Sequence, residues 1–377
     1  MKWEIIRYTL FKSDPFGHGG EKRSSQITQL LKECNIKSIY IPTGYDRSKF
    51  TARFYKNLFL LSKLYLELFF IIRTTFQIKK IFKQIIWAAG LNDVFSGESF
   101  NTKVFIYETS KLTLAPLIPY YKKKGFWLIG MPHNLESLVP GFRSELTMKK
   151  SPYWILEEII FLKEFDKVFA ISKEETLLLQ QCGVKAEYLP YFPVDKVFKY
   201  LQEIRGKRFK KVINVDTKRK LLMLGSALNP PTLIGMKDRI LFFKEHKLCN
   251  WDILIAGFGT SELEKYLIEN EEIQLLGEVS DQVLSTLLCE VDLVLIHQPP
   301  TAGCLTRIVE LLISGIPVLV NFSAARDYFG AKGVYIYYND EQMLEYLSYG
   351  NFLMPDVPMK PEREYKIFQD IISNSII

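Results

Sequence analysis

Residues 275–321 read LLGEVSDQVLSTLLCEVDLVLIHQPPTAGCLTRIVELLISGIPVLVN and contain apolar runs separated by helical patterns. The run VDLVLIHQ predicts a buried strand, and a loop with Gly303 leads from it into a helix whose first turns carry Arg307 and Glu310. A Gly-x-Pro turn then begins another strand at Val318. Because strand carboxyl ends and helix N-termini present free N–H groups, this unit predicts a ligand-binding edge of a parallel sheet.

The alternation of short apolar runs and helical patterns extends through the whole chain. Strand patterns occur at residues 4–11, 38–42, 104–108, 126–131, 167–172 and 186–191, and again at 220–226, 251–259, 273–279, 291–298, 316–321 and 334–338. Strands that alternate with helices are typical of doubly wound parallel sheets. At 377 residues the chain is long for one core. We therefore predict an α/β protein with two Rossmann-like domains, residues 1–200 and 201–360, joined by the polar segment 201–220.

The bulk composition restricts the class of protein. Hydrophobic residues make up 48% of the chain, and its 5 cysteines are scattered without CxxC or Cys/His spacing, which favours a reducing compartment and argues against structural zinc. No DxD-like pair stands at a strand end, so we expect no metal and no other cofactor. The chain opens without a signal-peptide pattern and has no uncharged apolar run long enough to span a membrane, which predicts a cytoplasmic protein.

Charge is distributed unevenly along the chain. Residues 1–200 hold 30 Lys and Arg against 19 Asp and Glu, whereas residues 201–377 hold 19 against 23. From Arg47 to Lys83, here called the basic segment, 9 basic residues accompany the single acid Glu67. This segment predicts either a core helix pair with solvated lysines or a surface that rests on anionic lipid at the inner face of the cell membrane. Nucleic acid is disfavoured as a partner, because the second half is acidic and no recognised motif is present.

Short motifs place candidate ligand-binding residues at predicted strand ends. Gly17-His18-Gly19-Gly20 follows the first strand, where adjacent glycines either let the backbone approach an anion or form an ordinary turn. His133 follows the strand FWLIG and either hydrogen-bonds a ligand or packs in a helix-capping loop. Ser172 and Glu175 have the spacing of a capping box, which explains both residues by itself.

The order and spacing of these motifs resemble retaining nucleotide-sugar glycosyltransferases of the two-domain B fold, in particular family 4. The resemblance runs from the Gly-Gly loop to the strand GIPVLVN. It implies two Rossmann-like domains facing each other across a cleft, with an acceptor-binding first domain, a nucleotide-sugar-binding second domain, and a final helix, residues 361–377, that crosses back to the first domain. The implied activity is metal-independent transfer with retention to a glycan or polyprenyl-linked acceptor, in surface polysaccharide or lipopolysaccharide biosynthesis.

The resemblance also assigns residues to the site. His133 and Arg307 are the expected catalytic residues, and Glu310 is expected to hold the nucleotide ribose. The other donor-binding residues are expected to be Gly19, Gly20, Gly225, Gly257, Gly277, Val279, Gly303, Cys304, Leu305 and Thr306. Among the remaining histidines, His18 is a second candidate, and His246 and His297 are interpreted as structural.

Two departures from the family pattern leave alternative functions open. The family carries a Glu-x7-Glu motif; Glu310 matches the second Glu, and Ala302 stands at the first. In many relatives, an Arg and a Lys in the loop after Gly225 hold the diphosphate. This chain has neither before Lys237, so Arg307 is the best substitute for that basic pair. A catalytically degenerate partner subunit and a B-fold sugar-nucleotide epimerase are therefore the alternatives, although an epimerase would need further acid–base carboxylates that the sequence does not identify.

Overall fold

The computed structural model describes residues 3–40, 52–72, 82–89, 102–145, 147–210, 218–267 and 273–376. The chain divides into two compact units. The first unit comprises residues 1–191, 302–304 and 361–377, and the second comprises residues 192–301 and 305–360. Each unit contains one parallel six-stranded sheet flanked by helices, which confirms the predicted α/β class with two Rossmann-like domains.

The first unit is built on a sheet with the strand order β2-β1-β3-β4-β5-β6. Its strands are β1 (Trp3–Thr9), β2 (Ile36–Tyr40), β3 (Val104–Glu108), β4 (Trp127–Gly130), β5 (Lys167–Ala170) and β6 (Ala186–Tyr188). Its helices are α1 (Gly19–Glu33), α2 (Ala52–Ile72), α3 (82–89), α4 (Leu117–Lys123), α5 (Ile155–Leu162), α6 (Lys173–Gln181) and α12 (Glu362–Ile376). Every residue of β3 is buried, as expected for an inner strand of a parallel sheet covered on both faces.

The second unit is built on a sheet with the strand order β12-β11-β10-β7-β8-β9. Its strands are β7 (Arg219–Leu224), β8 (Trp251–Ala256), β9 (Ile273–Gly277), β10 (Leu293–Ile296), β11 (Val318–Asn321) and β12 (Val334–Tyr337). Its helices are α7 (Asp195–Phe209), α8 (Pro230–Glu245), α9 (Asp281–Glu290), α10 (Thr306–Ile313) and α11 (Asp340–Tyr349). The β10, α10 and β11 elements confirm the strand–loop–helix–strand unit predicted within residues 275–321.

The strand order reverses once in each sheet. The reversal lies between β1 and β3 in the first sheet and between β7 and β10 in the second. In doubly wound sheets, ligands bind at the carboxyl ends of the strands next to such a reversal. The fold therefore points to one candidate binding edge on each unit.

The boundary between the units differs from the predicted one. The predicted crossing, 201–220, begins inside α7, and α7 packs on α9 and α10 of the second unit. Its apolar face buries Val197, Leu201 and Ile204. The second unit therefore starts at Phe192 rather than at residue 201, because the segment predicted as a linker begins within a helix whose charged face is exposed and whose apolar face is packed.

Only part of the basic segment lies within the described residues. On α2, Phe54, Leu61 and Leu64 are buried in the core, whereas Lys56 and Lys63 are exposed, as is Lys83 on α3. The helix α2 therefore buries one face in the core, and its solvated face carries Tyr55, Phe59 and Leu66 as well as the lysines. Arg47, Lys49, Arg73, Lys79 and Lys80 fall outside the described residues. Among the helices that the structure describes, none has the length and apolarity needed to cross a bilayer.

The final helix, α12, groups with the first unit. Phe368 is fully buried, and its ring centroid lies 5.0 Å from that of Phe169 on β5. The Tyr365 hydroxyl accepts a hydrogen bond of 2.6 Å from Gln26 Nε2 on α1. A buried aromatic contact and a buried hydrogen bond therefore hold the C-terminal helix against α1 and β5.

Candidate functional site

The predicted site residues fall on both units, and in each unit they gather at the carboxyl edge of the sheet. In the second unit, Gly225 follows β7, Gly257 follows β8 and Gly277 ends β9. Gly225 N donates to Ala256 O at 3.1 Å, and Gly257 N donates to Gly277 O at 2.8 Å. These hydrogen bonds bring the three glycine loops together at one edge.

Gly257 is required by the close approach of two loops. Its φ is +139°, a region that L side chains rarely adopt, and a Cβ atom there would collide with the carbonyl oxygen of Gly225. Gly277 also has a positive φ, +70°, but a Cβ there would meet open space. Glycine is therefore required at position 257 by the packing of the two loops, whereas the space beside Gly277 is open.

The different surroundings of Gly277 and Gly257 predict that alanine lowers the free energy of unfolding by different amounts at the two positions. Gly277→Ala should cost about 1 kcal/mol, the usual penalty for a side chain at positive φ. Gly257→Ala should cost more than ~2 kcal/mol, because the Cβ collides with backbone that cannot rotate away. Thermal unfolding of the two variants measures the difference. Equal melting temperatures would show that the loops do not approach as closely as described.

Arg307 lies against the end of β7, at the N-terminus of α10. Its Nη1 donates to Leu224 O, and its Nη2 donates to Thr232 Oγ1 at 3.3 Å. Burial, and then the charge of Arg326, lower the pKa of Arg307 to about 10, so its guanidinium remains charged at neutral pH. The preceding N-cap residue, Leu305, makes no side-chain cap hydrogen bond. A cation and the N–H groups of a helix N-terminus therefore share this position, which suits an anionic ligand.

Arg326 is a site residue that the sequence reasoning missed. Its Nη2 donates to Gln298 Oε1 at 3.3 Å, and Gln298 Nε2 donates to Thr232 Oγ1 at 3.3 Å. Asn321 fixes the same glutamine by donating from Nδ2 to Gln298 O at 2.7 Å. These contacts join the ends of β10 and β11 to α8. Two guanidinium groups thus lie close enough to repel each other, an arrangement that an anion would relieve.

The other predicted residues of the second unit lie on α10, just before it, or on the loop after β9. Glu310 lies within α10 and is buried, and Thr306 opens the same helix. Leu305 O accepts a hydrogen bond of 3.1 Å from the Tyr328 hydroxyl. Val279 is partly buried against the core. The structure therefore brings Gly225, Gly257, Gly277 and Arg307 to one edge, and their roles in donor binding stay predictions.

In the first unit, the Gly-Gly loop forms the N-terminus of α1. His18 is the N-cap: Gly20 N donates to His18 Nδ1 at 3.2 Å, and His18 N donates to Glu21 Oε2 at 3.1 Å. A Cβ on Gly20 would lie 2.7 Å from the Phe11 ring, so packing alone requires glycine there. Because its N–H is already engaged, Gly20 would bind a phosphate only if the His18 cap opened. The contact of Gly19 and Gly20 with a diphosphate stays a prediction.

His133 lies at the same edge, beside a buried ion pair. Arg7 on β1 donates to Glu108 at the end of β3, and both side chains are fully buried. His133 Nε2 lies 3.8 Å from Glu108 Oε2, and among the described residues neither ring nitrogen has a hydrogen-bond partner. Burial, with the charges of Arg23 and Arg7, lowers the pKa of His133 to about 3. The imidazole is therefore neutral and can both donate to and accept from a hydroxyl group.

The lowered pKa of His133 predicts a pH-dependent stability. The unfolded chain protonates this histidine below pH ~6.5, whereas the folded protein does not, so its contribution is complete above that pH and is lost as pH falls towards 3. Between pH 7 and pH 5, the free energy of unfolding of His133→Gln should therefore fall by about 1–2 kcal/mol less than that of the wild type. Chemical unfolding at pH 7 and pH 5 measures it, with the exposed His246→Gln as control. The prediction fails if wild type and His133→Gln lose equal stability.

The remaining predicted residues of the first unit lie near His133. Gly303 N donates to Glu175 Oε1 at 3.0 Å, and the same oxygen accepts from Leu135 N at 2.7 Å. Ser172 caps α6 as predicted, because its hydroxyl accepts from Glu175 N. The carboxylate of Glu175 is directed to the loops instead of completing the expected capping box. Cys304 follows Gly303 and is partly buried.

The two histidines interpreted as structural make contacts within the second unit. His297 Nδ1 lies 2.6 Å from the Tyr337 hydroxyl, and burial, followed by the charge of Arg239, lowers its pKa to about 4. His246 stacks on Phe242 with ring centroids 4.2 Å apart. Within the described ranges, no group of three or more His, Cys, Asp and Glu side chains is arranged to hold a metal ion.

Comparison with known proteins identifies the fold. No protein-family model and no curated protein sequence matches the chain. Sucrose-phosphate synthase from Thermosynechococcus elongatus is similar over 100% of this chain and 95% of its own, with a TM-score of 0.62 and 10% identity. Anabaena HepE in complex with UDP and glucose is similar over 99% and 100%, with a TM-score of 0.58 and 12% identity. UDP-GlcNAc 2-epimerase from Neisseria meningitidis, bound to UDP-GlcNAc, is similar over 98% and 100%, with a TM-score of 0.55 and 14% identity.

These similarities cover nearly the whole chain, so both units and their order along the sequence are shared. The chain therefore has the GT-B fold, as predicted. At identities of 10% to 14% the similarity concerns the fold and leaves the activity to the site residues. The assignment to family 4 stays a prediction.

Proposed function

We propose that this protein is a retaining glycosyltransferase that moves a sugar from a nucleotide-sugar donor to a glycan or lipid-linked acceptor. The observation that carries the proposal is the anion-binding arrangement in the second unit. Arg307, Arg326 and the N-terminus of α10 meet at the carboxyl edge of a GT-B sheet, next to the glycine loops of β7 and β8. A nucleoside diphosphate has the charge and the size that this edge can bind.

In the proposed reaction, the bond between the anomeric carbon and the diphosphate oxygen breaks, and its electron pair stays on the departing nucleoside diphosphate. The acceptor hydroxyl oxygen forms a bond to the same face of the anomeric carbon, and its proton passes to the departing phosphate oxygen. Arg307 and Arg326 stabilise the charge that develops on the leaving group. His133, held neutral by its surroundings, would hydrogen-bond the sugar hydroxyls. The step uses neither a metal nor a covalent enzyme intermediate.

The nucleoside would be held by α10 and by the glycine loops. Glu310 would accept hydrogen bonds from the ribose hydroxyls. The main chain at Gly257 and around Gly277 to Val279 would contact the base, since a Cβ at Gly277 has open space around it. Gly303, Cys304, Leu305 and Thr306 would contribute main-chain groups near the diphosphate.

The test is the binding of nucleoside diphosphates compared with their nucleosides. Calorimetry with UDP, GDP and ADP, and with uridine, guanosine and adenosine, identifies the base. Arg307→Ala should weaken the preferred diphosphate by about 10- to 100-fold, the effect of losing a charge-assisted hydrogen bond, and leave the nucleoside unchanged. The exposed Arg363→Ala is the matched control. If no diphosphate binds the wild-type protein, the proposed function is wrong.

A catalytically inactive protein with the same fold is the second candidate function. Ala302 in place of the first motif Glu favours it. Such a protein would bind the nucleotide sugar yet release no nucleoside diphosphate. The other alternative, a sugar-nucleotide epimerase, would convert the sugar of the donor without an acceptor. Incubation of the preferred donor with glycan acceptors, followed by analysis of both sugar and nucleotide products, separates these functions from transfer.

We also propose that the acceptor is presented at the inner face of the cell membrane, in surface polysaccharide or lipopolysaccharide synthesis. The exposed Lys56, Lys63 and Lys83 support this, because each basic residue near anionic lipid contributes about 1 kcal/mol. The protein should sediment with vesicles of anionic phospholipid at low salt, and Lys56→Glu/Lys63→Glu/Lys83→Glu should reduce the bound fraction severalfold. Equal binding to neutral and anionic vesicles would contradict the proposal.

A further inference from the structure

A cavity of about 320 Å³ opens on the first unit, at the same sheet edge as His133. It lies among the loops that follow β3 and β4 and the start of α5. Its lining residues are Lys111, Glu136, Gly141, Phe142, Arg143, Glu145 and Trp154. Ligand pockets usually measure about 300–1,000 Å³, so this cavity suits one small ring rather than an extended molecule.

Two buried side chains in the cavity wall have polar atoms without a partner. Glu136 is 8% exposed and Trp154 is 2% exposed. Within the part of the chain that the structure describes, Glu136 Oε2 and Trp154 Nε1 lack a hydrogen-bond partner. A buried polar atom left unsatisfied costs about 1–3 kcal/mol. One atom accepts hydrogen bonds and the other donates, which matches a ligand that carries hydroxyl groups.

The position of Glu136 is fixed by its neighbours. Glu158 on α5 accepts hydrogen bonds from Glu136 N at 2.7 Å and from Ser137 N at 3.0 Å. These two bonds tie the backbone of Glu136 to a fully buried carboxyl group. The side chain of Glu136 is therefore held on a rigid turn, as binding residues require.

The electrostatics of the cavity favour an uncharged ligand. Burial raises the pKa of Glu136 to about 7; Lys111 opposes this shift, and Glu158 and Glu145 add to it. The charged lining residues balance, Lys111 and Arg143 against Glu136 and Glu145, so the cavity offers no net positive charge to a phosphate or carboxylate of a ligand. The rings of Phe142 and Trp154 add apolar surface, against which the C–H groups of a sugar ring can pack.

We propose that this cavity binds the terminal, uncharged sugar ring of the glycan acceptor, whose hydroxyl groups donate to Glu136 Oε2 and accept from Trp154 Nε1. The proposal rests on the proposed transferase function and names the chemical class of its acceptor. It places the acceptor on the same unit and the same sheet edge as His133. The cavity thereby selects a neutral pyranose over a sugar phosphate or a uronic acid.

The experiment measures the binding of simple sugars by saturation-transfer NMR with the full chain. The probes are the methyl glycosides of glucose, galactose, mannose and N-acetylglucosamine, together with glucuronic acid and glucose 6-phosphate. At least one neutral glycoside should bind, and Glu136→Leu should weaken it about tenfold or more. Trp154→Phe, which removes the N–H group and keeps an aromatic ring, should weaken it about 3- to 10-fold. Tyr153→Phe is the matched control, because Tyr153 is 79% exposed.

Nucleoside diphosphate binding, measured on the same samples, separates this proposal from the proposed function. Both cavity variants should keep the wild-type affinity for the diphosphate and a cooperative thermal transition. If the diphosphate binds but no neutral glycoside does, or if both variants bind the glycoside as wild type does, the cavity proposal is overturned and the transferase proposal stands. Preferred binding of glucuronic acid or glucose 6-phosphate also overturns it.

Discussion

The ion pair between Arg7 and Glu108 determines the arrangement of the first unit. Arg7 lies on β1 and Glu108 at the end of β3, and Arg7 also donates to Ser24 O and Thr28 Oγ1 on α1. A buried charge without its partner costs several kcal/mol, so the two strands and the helix must keep one register. That register sets His133 beside Glu108 and places the start of α1 at the same edge. The candidate site of this unit thus depends on a contact that need not touch a ligand.

In the second unit, uncharged side chains contact and help to position the cationic side chains at the sheet edge. Thr232 Oγ1 accepts hydrogen bonds from Arg307 and Gln298, and Gln298 in turn accepts one from Arg326. A hydroxyl and an amide, together with main-chain carbonyl groups, thereby help to position the two cations. A hydroxyl and an amide carry no charge, so these contacts leave both guanidinium groups cationic. Positioning before binding lowers the conformational entropy that a ligand must overcome.

The sequence was sufficient for the features that depend on local pattern. Apolar runs ended by glycine predicted the strands and placed Gly225, Gly257 and Gly277 at strand ends, because parallel strands all finish at one edge. Arg326 was not predictable in this way, since its contact with Gln298 requires β10 and β11 to be neighbours. The predicted boundary at residue 201 differs from the observed one for the opposite reason. The charged face of α7 dominates the local sequence pattern, and the three buried residues of this helix matter only once α9 and α10 are in place.

For the proposed nucleotide site, the contact between Gly257 and Gly225 limits how specificity can change during evolution. The hydrogen bonds from Gly225 N to Ala256 O and from Gly257 N to Gly277 O are made by main-chain atoms, so they do not depend on the neighbouring side chains. New selectivity must instead come from neighbouring positions that tolerate variation. Leu228, 64% exposed, and Phe258, 52% exposed, flank the two glycine loops. Directed evolution aimed at a different nucleotide should therefore accumulate changes at these neighbours while both glycines persist.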